Sequence, residues 1–271
     1  MEDRTMYAEL LMNLKGSTLD YRKTSNLQGI IMEHIDSEYA QKLHHNSLNP
    51  YSQYLQVSKE NVIWHISAIS QEAYEQIILP MSYIDEIYVK KKNEKIEVQN
   101  REIKICRERE LLREFYEVSG SRYLNLRFMT PTAFKQNGKY IFWPDLRLIY
   151  GSLMRRYSAS SEGLEMVDEN TLEELVTKSE IVRYNIRSVS FPLEGIKITG
   201  FCGTICIHVA GTDTMARYAR MLFRFGKYSG VGIKTAMGTG SKISDRGSAA
   251  RHRKSYFSGR NRRKKSQQKW I

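Results

Sequence analysis

Two successive β-α-β-β-α-β patterns of hydrophobic periodicity, a charged break near the middle of the chain, and a glycine-rich stretch before the last strand predict an α+β protein of tandem ferredoxin-like (RRM-like) units. At 271 residues the chain has room for two domains of about 120 residues, each with its own core. The expected divisions are 1–118, 119–243 and a basic tail, 244–271.

In the first unit, Met6 to Leu14 alternates as a strand. Leu27, Ile30, Ile31, His34 and Ile35 repeat at helical spacing over Asn26 to Ile35, which puts His34 on an apolar stripe as a core histidine. A short helix over Glu38 to Leu43 leads into the turn Asn49-Pro50. Tyr51 to Val57 and Val62 to Ser67 read as a hairpin, Gln71 to Leu79 as a helix, and Ile84 to Val89 as the closing strand. Lys95 to Glu117 is strongly charged and ends in a helix, Leu111 to Val118, so the boundary is expected near Gly120.

The second unit opens with the strand Tyr123 to Phe128. Pro144 to Tyr157 follows as a helix with Leu146, Ile149, Tyr150, Leu153 and Met154 on one face. An acidic loop and a solvated helix fill Ser158 to Glu180, then come strands at Ile181 to Phe191 and Phe201 to Val209. The last helix, Thr212 to Phe225, has Thr212 as N-cap and Asp213 in its first turn. Met215, Tyr218, Ala219, Leu222 and Phe225 form its core stripe, with Arg217, Arg220 and Arg224 on the opposite face. Such a face is ordinarily solvated, but three arginines with no acid among them also suit RNA. The final strand is expected over Met237 to Ile243.

Charge is unevenly spread. Of the net +12, residues 242–271 carry +10, which leaves +2 for everything before them. The tail is poor in aliphatics and is expected to be disordered, serving as a solubilising end or a phosphate-binding arm. No apolar run reaches membrane-spanning length and the N-terminus lacks a signal peptide, so a cytoplasmic protein is expected. Three cysteines fit a reducing compartment. Cys202, Cys206 and His208 share strand parity and read as a core-facing row. Cys202 and Cys206 would then lie about 13 Å apart, too far to share a metal. Neither a metal nor a cofactor is expected.

Five glycines fall between Gly226 and Gly240, with Lys227 and Lys234 among them. A backbone without Cβ atoms can approach a ligand closely and turn bare N–H groups toward phosphate. The stretch is not a P-loop, because Ile233 separates Gly232 from Lys234. Nor is it a dinucleotide fingerprint, because Thr235 stands where the third glycine belongs. Polymeric nucleic acid remains, with Gly226, Lys227, Gly230, Gly232, Lys234, Gly238, Gly240 and the three arginines as candidate RNA-binding residues.

Three segments then converge. Gly200-Phe-Cys-Gly203, the helix after it and Tyr228 to Gly240 resemble the C-terminal signature of the CRISPR-associated repeat-processing endoribonucleases of the RAMP superfamily. Phe128 to Phe134, followed by Trp143-Pro144-Asp145 and the helix to Tyr157, is similar to that family's second-domain entry. Leu43-His44 with Asn49-Pro50-Tyr51-Ser52 resembles its catalytic segment. The resemblance spans residues 5–243. It implies two ferredoxin-like domains that cut CRISPR repeat RNA without metal, by 2′-OH attack that leaves a 2′,3′-cyclic phosphate and a 5′-OH. The products are guide RNAs passed to a multi-subunit interference complex, the enzyme acting as a monomer or homodimer. A non-catalytic repeat-RNA or guide-RNA binding subunit of the same fold is the alternative.

Metal-free transesterification needs a base, an acid and cations about the phosphorane, and histidine does either proton job near neutral pH. Of six histidines, His44 and His45 follow a helical segment whose C-terminal dipole suits an imidazolium. The resemblance points to His44, with His45 as the other candidate. Tyr51 and Tyr39 are candidates to orient the histidine or to stack on a base. Asn49 stands where the family often has lysine, which leaves the phosphorane to Lys42, Lys59 or the loop lysines.

Overall fold

The computed structural model describes residues 6–15, 19–20, 24–58, 61–90, 93–117, 120–160, 168–193, 196–240 and 243–245. The first sheet consists of β1 (Met6–Leu14), β2 (Tyr51–Val57), β3 (Val62–Ala68), β4 (Glu86–Val89) and β5 (Glu94–Arg107). Its spatial order is β2-β3-β1-β5-β4, antiparallel throughout. Between β1 and β2 run α1 (Thr24–His34) and α2 (Ser37–His45). Between β3 and β4 run α3 (Gln71–Ala73), a π-helical turn over Tyr74–Ile78, and α4 (Leu79–Ser82). Leu10, Met12, Leu27, Ile31, Trp64, Ile66 and Ile77 fill the core between this sheet and its helices.

After α5 (Glu108–Tyr116), the second sheet is made of β6 (Tyr123–Thr132), β9 (Ser179–Leu193), β10 (Ile196–Val209) and β11 (Ile243–Asp245). Its order is β11-β6-β10-β9, the ferredoxin-like arrangement in which the first strand lies beside the last. The hairpin β7 (Phe134–Gln136) and β8 (Lys139–Ile141) turns at Asn137-Gly138, both at positive φ. α6 (Leu146–Ser160), α7 (Glu169–Thr177) and α8 (Asp213–Ser229) complete this half. Ile149, Tyr150, Leu153 and Met154 of α6 meet Ala219, Leu222 and Phe225 of α8 in the second core. Leu111 and Phe115 of α5 pack with that core, although the sequence attaches this helix to the first unit.

The tandem arrangement matches the expectation, and five local readings are corrected. The place beside β1 expected for Ile84 to Val89 belongs to β5, and β4 is pushed to the edge. Ile96 and Val98 point into the core, while most other positions of β5 are exposed, so charge conceals the alternation. His34 is exposed, and its ring turns back along the helix, with Nδ1 2.8 Å from Ile30 O, while Ile35 takes the buried place. In β10 the row that meets the second core is Phe201, Ile205, Ile207 and Val209. Cys202 and His208 lie on the other side, and although Cys206 is buried it stands outside that core. α8 runs to Ser229, so Gly226 and Lys227 are helical. The last strand is Ile243–Asp245, because Met237, expected to begin it, instead ends a 3-10 turn over Thr235–Met237. The predicted tail beyond 245, with His252, and Lys59 lie outside the described residues. Among the described residues no helix is long and apolar enough to cross a membrane.

The halves meet along a bonded seam. Tyr7 of β1 packs against Phe225 and Tyr228, with ring centroids 5.4 and 5.8 Å away. Ser52 Oγ donates to Tyr228 O at 2.7 Å, and Gln53 Nε2 donates to Ala236 O at 2.7 Å. Gln53 Oε1 accepts from buried Trp64 Nε1 at 2.8 Å, which fixes the amide that reaches across. These bonds hold the 3-10 turn of one half against β2 of the other.

Candidate functional site

A cleft of about 480 Å³ opens where the halves join. α2 and the segment after it supply His44, Asn46, Ser47 and Asn49. α6 supplies Leu148, Ser152, Arg155 and Arg156, and the loop after α8 supplies residues 232–237. Lys135 and Tyr140 enter from the β7–β8 hairpin. The cleft is therefore lined by four cationic side chains, Lys135, Arg155, Arg156 and Lys234, together with His44. Among the described residues no aspartate or glutamate lines it. Such a pocket is built for an anion.

His44 occupies the last turn of α2 with an exposed side chain. The helix is fixed at its start by Asp36, whose carboxylate accepts from Tyr39 N at 2.9 Å, and beneath by buried Tyr39 and Leu43. His45, one residue on, is directed elsewhere, its Nδ1 2.8 Å from Gln41 O. Tyr51 is fully buried in the first core, so its ring cannot stack on a base. Burial pushes its phenol pKa well above the ordinary value, as it does for neighbouring Tyr39. Both tyrosines belong to the packing under α2. Lys42 is paired with Glu72 at 2.5 Å. Asn49 lines the cleft with its Oδ1 buried and without a hydrogen-bond partner.

The loop after α8 uses its backbone differently from expectation. The N–H groups of Gly230, Val231, Ile233, Gly238 and Gly240 donate to carbonyls of the protein, and Gly232 N donates to Ser152 Oγ at 2.9 Å. Those amides are not bare. The glycines answer to space instead: a Cβ on Gly232 would stand 2.5 Å from Ala133 O, and one on Gly238 2.4 Å from Thr24 Cγ2. What the loop presents to the cleft is Lys234, held in the left-handed region at φ 56°. Thr239 Oγ1 clamps this turn by donating to Ile233 O and Lys234 O at 2.7 and 3.1 Å.

The arginines of α8 do not line the cleft. Arg217 pairs with Asp213 at 2.6 Å and donates to Tyr116 O, while Arg220 is 9% exposed and donates to Ser121 O. Arg224 lies near Cys106 and Tyr228, whose pKa values burial raises and its charge only opposes. Lys227 stands in the last turn of α8. Among the remaining histidines, His65 is buried and donates through Nδ1 to Glu9 Oε1 at 2.8 Å, stacked on Tyr54. His208 stacks on Tyr123.

Sequence reasoning missed Arg155, Arg156 and Lys135 as site residues. A signal for Arg156 existed, since it falls seven residues after Ile149 and three after Leu153, at the margin of the apolar stripe of α6. Leu148, Ser152, Arg155 and Arg156 share the neighbouring face, and only the folded joint turns that face toward His44.

The profile of the family described as CRISPR-associated endoribonuclease Cas6 matches residues 126–241. A CRISPR-associated endoribonuclease Cas6 of Mycobacterium tuberculosis is 35% identical over 221 residues, which cover 80% of this chain and 69% of that protein. One from Streptococcus thermophilus is 32% identical over 219 residues, covering 80% of this chain and 90% of that protein. Among solved structures, a Cas6 product complex superposes with a TM-score of 0.74 at 23% identity, over 89% of this chain and 99% of that one. A Thermus thermophilus Cas6 superposes with a TM-score of 0.68 at 19% identity, over 89% and 99% of the two chains. The fold of those structures is the fold described above, and by the likeness of its sequence this chain belongs to the Cas6 family of CRISPR-associated endoribonucleases.

Proposed function

We propose that the interdomain cleft is where this endoribonuclease cuts CRISPR repeat RNA, with His44 moving a proton and the surrounding cations holding the phosphate. The observation that carries the reading is the composition of the cleft: among the described residues, one exposed histidine and four cationic side chains line it and no carboxylate does. A phosphodiester brings negative charge into such a place, and the phosphorane that forms on it brings more.

The 2′-oxygen attacks the adjacent phosphorus while the bond from phosphorus to O5′ breaks, which leaves a 2′,3′-cyclic phosphate and a 5′-hydroxyl. The 2′-OH gives up one proton and O5′ takes one. His44 serves as the donor to O5′, and Lys234 supports the phosphorane. Asn49 Oδ1, an acceptor without a protein partner, suits a hydroxyl or amino group of the RNA. The reaction as written uses no metal, and its products enter an interference complex as guide RNAs.

Cleavage of the cognate repeat in EDTA is the direct test, scored by the termini produced. His44→Ala is expected to lower the single-turnover rate by about 10²- to 10⁴-fold with repeat binding retained. A 2′-deoxy substitution at the scissile nucleotide blocks the enzyme. If His44→Ala cuts at the wild-type rate, His44 is not the acid. If the wild type releases no product from either RNA, the chain is a repeat-RNA binding subunit instead.

A further inference from the structure

Arg156 places a charge where charge is costly. The residue is 5% exposed, and none of the described residues accepts a hydrogen bond from its guanidinium. Nη1 is shut away from solvent with no partner. Burial, with Arg155 beside it, lowers its pKa to about 10, so the group remains a cation at neutral pH. A buried charge with nothing opposite is strongly destabilising, and at the margin of an apolar stripe a methionine would pack without that burden. A counter-charge is therefore called for. Among the described residues none is seen to bring one: Arg156 lines the cleft with Lys135, Arg155 and Lys234, and no described acid lines it.

We infer that Arg156 is the seat of a single phosphate oxyanion, gripped by two prongs of its guanidinium from within the wall of the cleft, and that a phosphodiester of the RNA supplies it. A planar fork matches two oxygens of a phosphate in a way that a lysine ammonium cannot. Because Arg156 is buried, it fixes the register of a strand already in the cleft, while exposed Arg155 and Lys234 attract the strand from outside. The source of the phosphate rests on the reading of the cleft as the RNA site, whereas the seat itself rests on burial and charge alone.

The test uses the full chain in two arms, neither of which scores cleavage. In the first, inorganic phosphate is added during thermal unfolding, with sodium chloride at matched ionic strength as the control. Phosphate is expected to raise the Tm of the wild type above the chloride control and to leave Arg156→Met at its control value. Arg156→Lys, which keeps the charge without the fork, is expected to respond only at higher phosphate concentration, and it serves if the methionine variant does not fold. A wild type that ignores phosphate, or a variant that responds as the wild type does, overturns the seat.

In the second arm, repeat RNA with a 2′-deoxy scissile nucleotide is titrated across a salt series. Arg156→Met is expected to bind about tenfold or more weakly, the loss of one charge-assisted contact. Its slope of log affinity against log salt should be shallower by about 0.7, one phosphate contact on a single strand. Unchanged affinity and slope overturn RNA as the source. Because no arm depends on turnover, a protein that seats phosphate at Arg156 and never cuts RNA would refute the proposed function and leave the seat standing.

Discussion

Gly238 and Gly29 show how differently two glycines act in one chain. Gly238 has φ +93°, and a Cβ there would stand 2.4 Å from Thr24 Cγ2 across the seam. Gly29 lies exposed inside α1 with nothing within 4 Å of a Cβ. Gly238→Ala is expected to destabilise by about 1–3 kcal/mol, through strain and overpacking together. Gly29→Ala should stabilise by about 0.5–1 kcal/mol, because alanine loses less backbone freedom in a helix. Denaturant midpoints of the two variants, taken side by side, check both, and a destabilised Gly29→Ala would show that α1 is less regular than described. Cys202 gives a residue-scale test in pH: burial raises its thiol to about 11 although Arg187 opposes the shift. The thiol is therefore protonated through neutral pH, and it should be alkylated slowly at pH 8 and faster only as pH climbs toward 11.

At the scale of elements, α6 and α8 hold the site through opposite uses of their faces. α6 buries Ile149, Leu153 and Met154 on one side and turns Ser152, Arg155 and Arg156 to the cleft on the next. α8 uses two of its arginines on the connection between the halves, where Arg217 and Arg220 bind Tyr116 O and Ser121 O and so tie down the entry into β6. Its start depends on Thr212, whose hydroxyl oxygen accepts from Met215 N at 3.2 Å. Thr212→Ala should cost about 1 kcal/mol in unfolding free energy and leave repeat binding unchanged, since Thr212 does not line the cleft. A loss of binding out of proportion to that stability change would mean that α8 contributes to the RNA surface directly. Stripe periodicity made α6 and α8 legible because most of each apolar face is buried. It failed on β5, where every position from Gln99 to Ile105 is exposed and charged or polar residues stand among the two isoleucines. The purpose of the α8 arginines was equally hidden, since periodicity says which face is outside a core and not what lies across from it.

For the whole molecule, the joint between the halves is also the floor of function. Tyr7 belongs to the first sheet and yet packs in the second core, and Gln53 and Ser52 reach across to the loop and to α8. Gln53→Ala leaves Trp64 Nε1 and Ala236 O without their buried partner, which should cost about 1–3 kcal/mol and reduce cleavage more than repeat binding. An unfolding curve beside a single-turnover assay separates those effects. The charge distribution makes a prediction of its own: deleting 246–271 removes ten Lys and Arg residues, and should flatten the salt dependence of RNA binding while repeat choice is kept. Loss of discrimination between repeats would instead make the tail part of specific recognition.

What the sequence determined by itself was what depends on local order along the chain: two ferredoxin-like repeats, most helices and strands, His44 at a helix end, and a glycine loop too dense to be a linker. These follow from periodicity, capping and the steric freedom of glycine, each contained within a few neighbouring residues. The tertiary structure alone decided which candidates meet. It brought His44 of α2, Arg155 and Arg156 of α6 and Lys234 into one cleft, left the arginines of α8 outside it, and set Gly238 against Thr24 at the seam. The physical reason is that burial and charge pairing are settled between residues more than a hundred positions apart, as at Gln53 and Ala236. No window of sequence holds both partners.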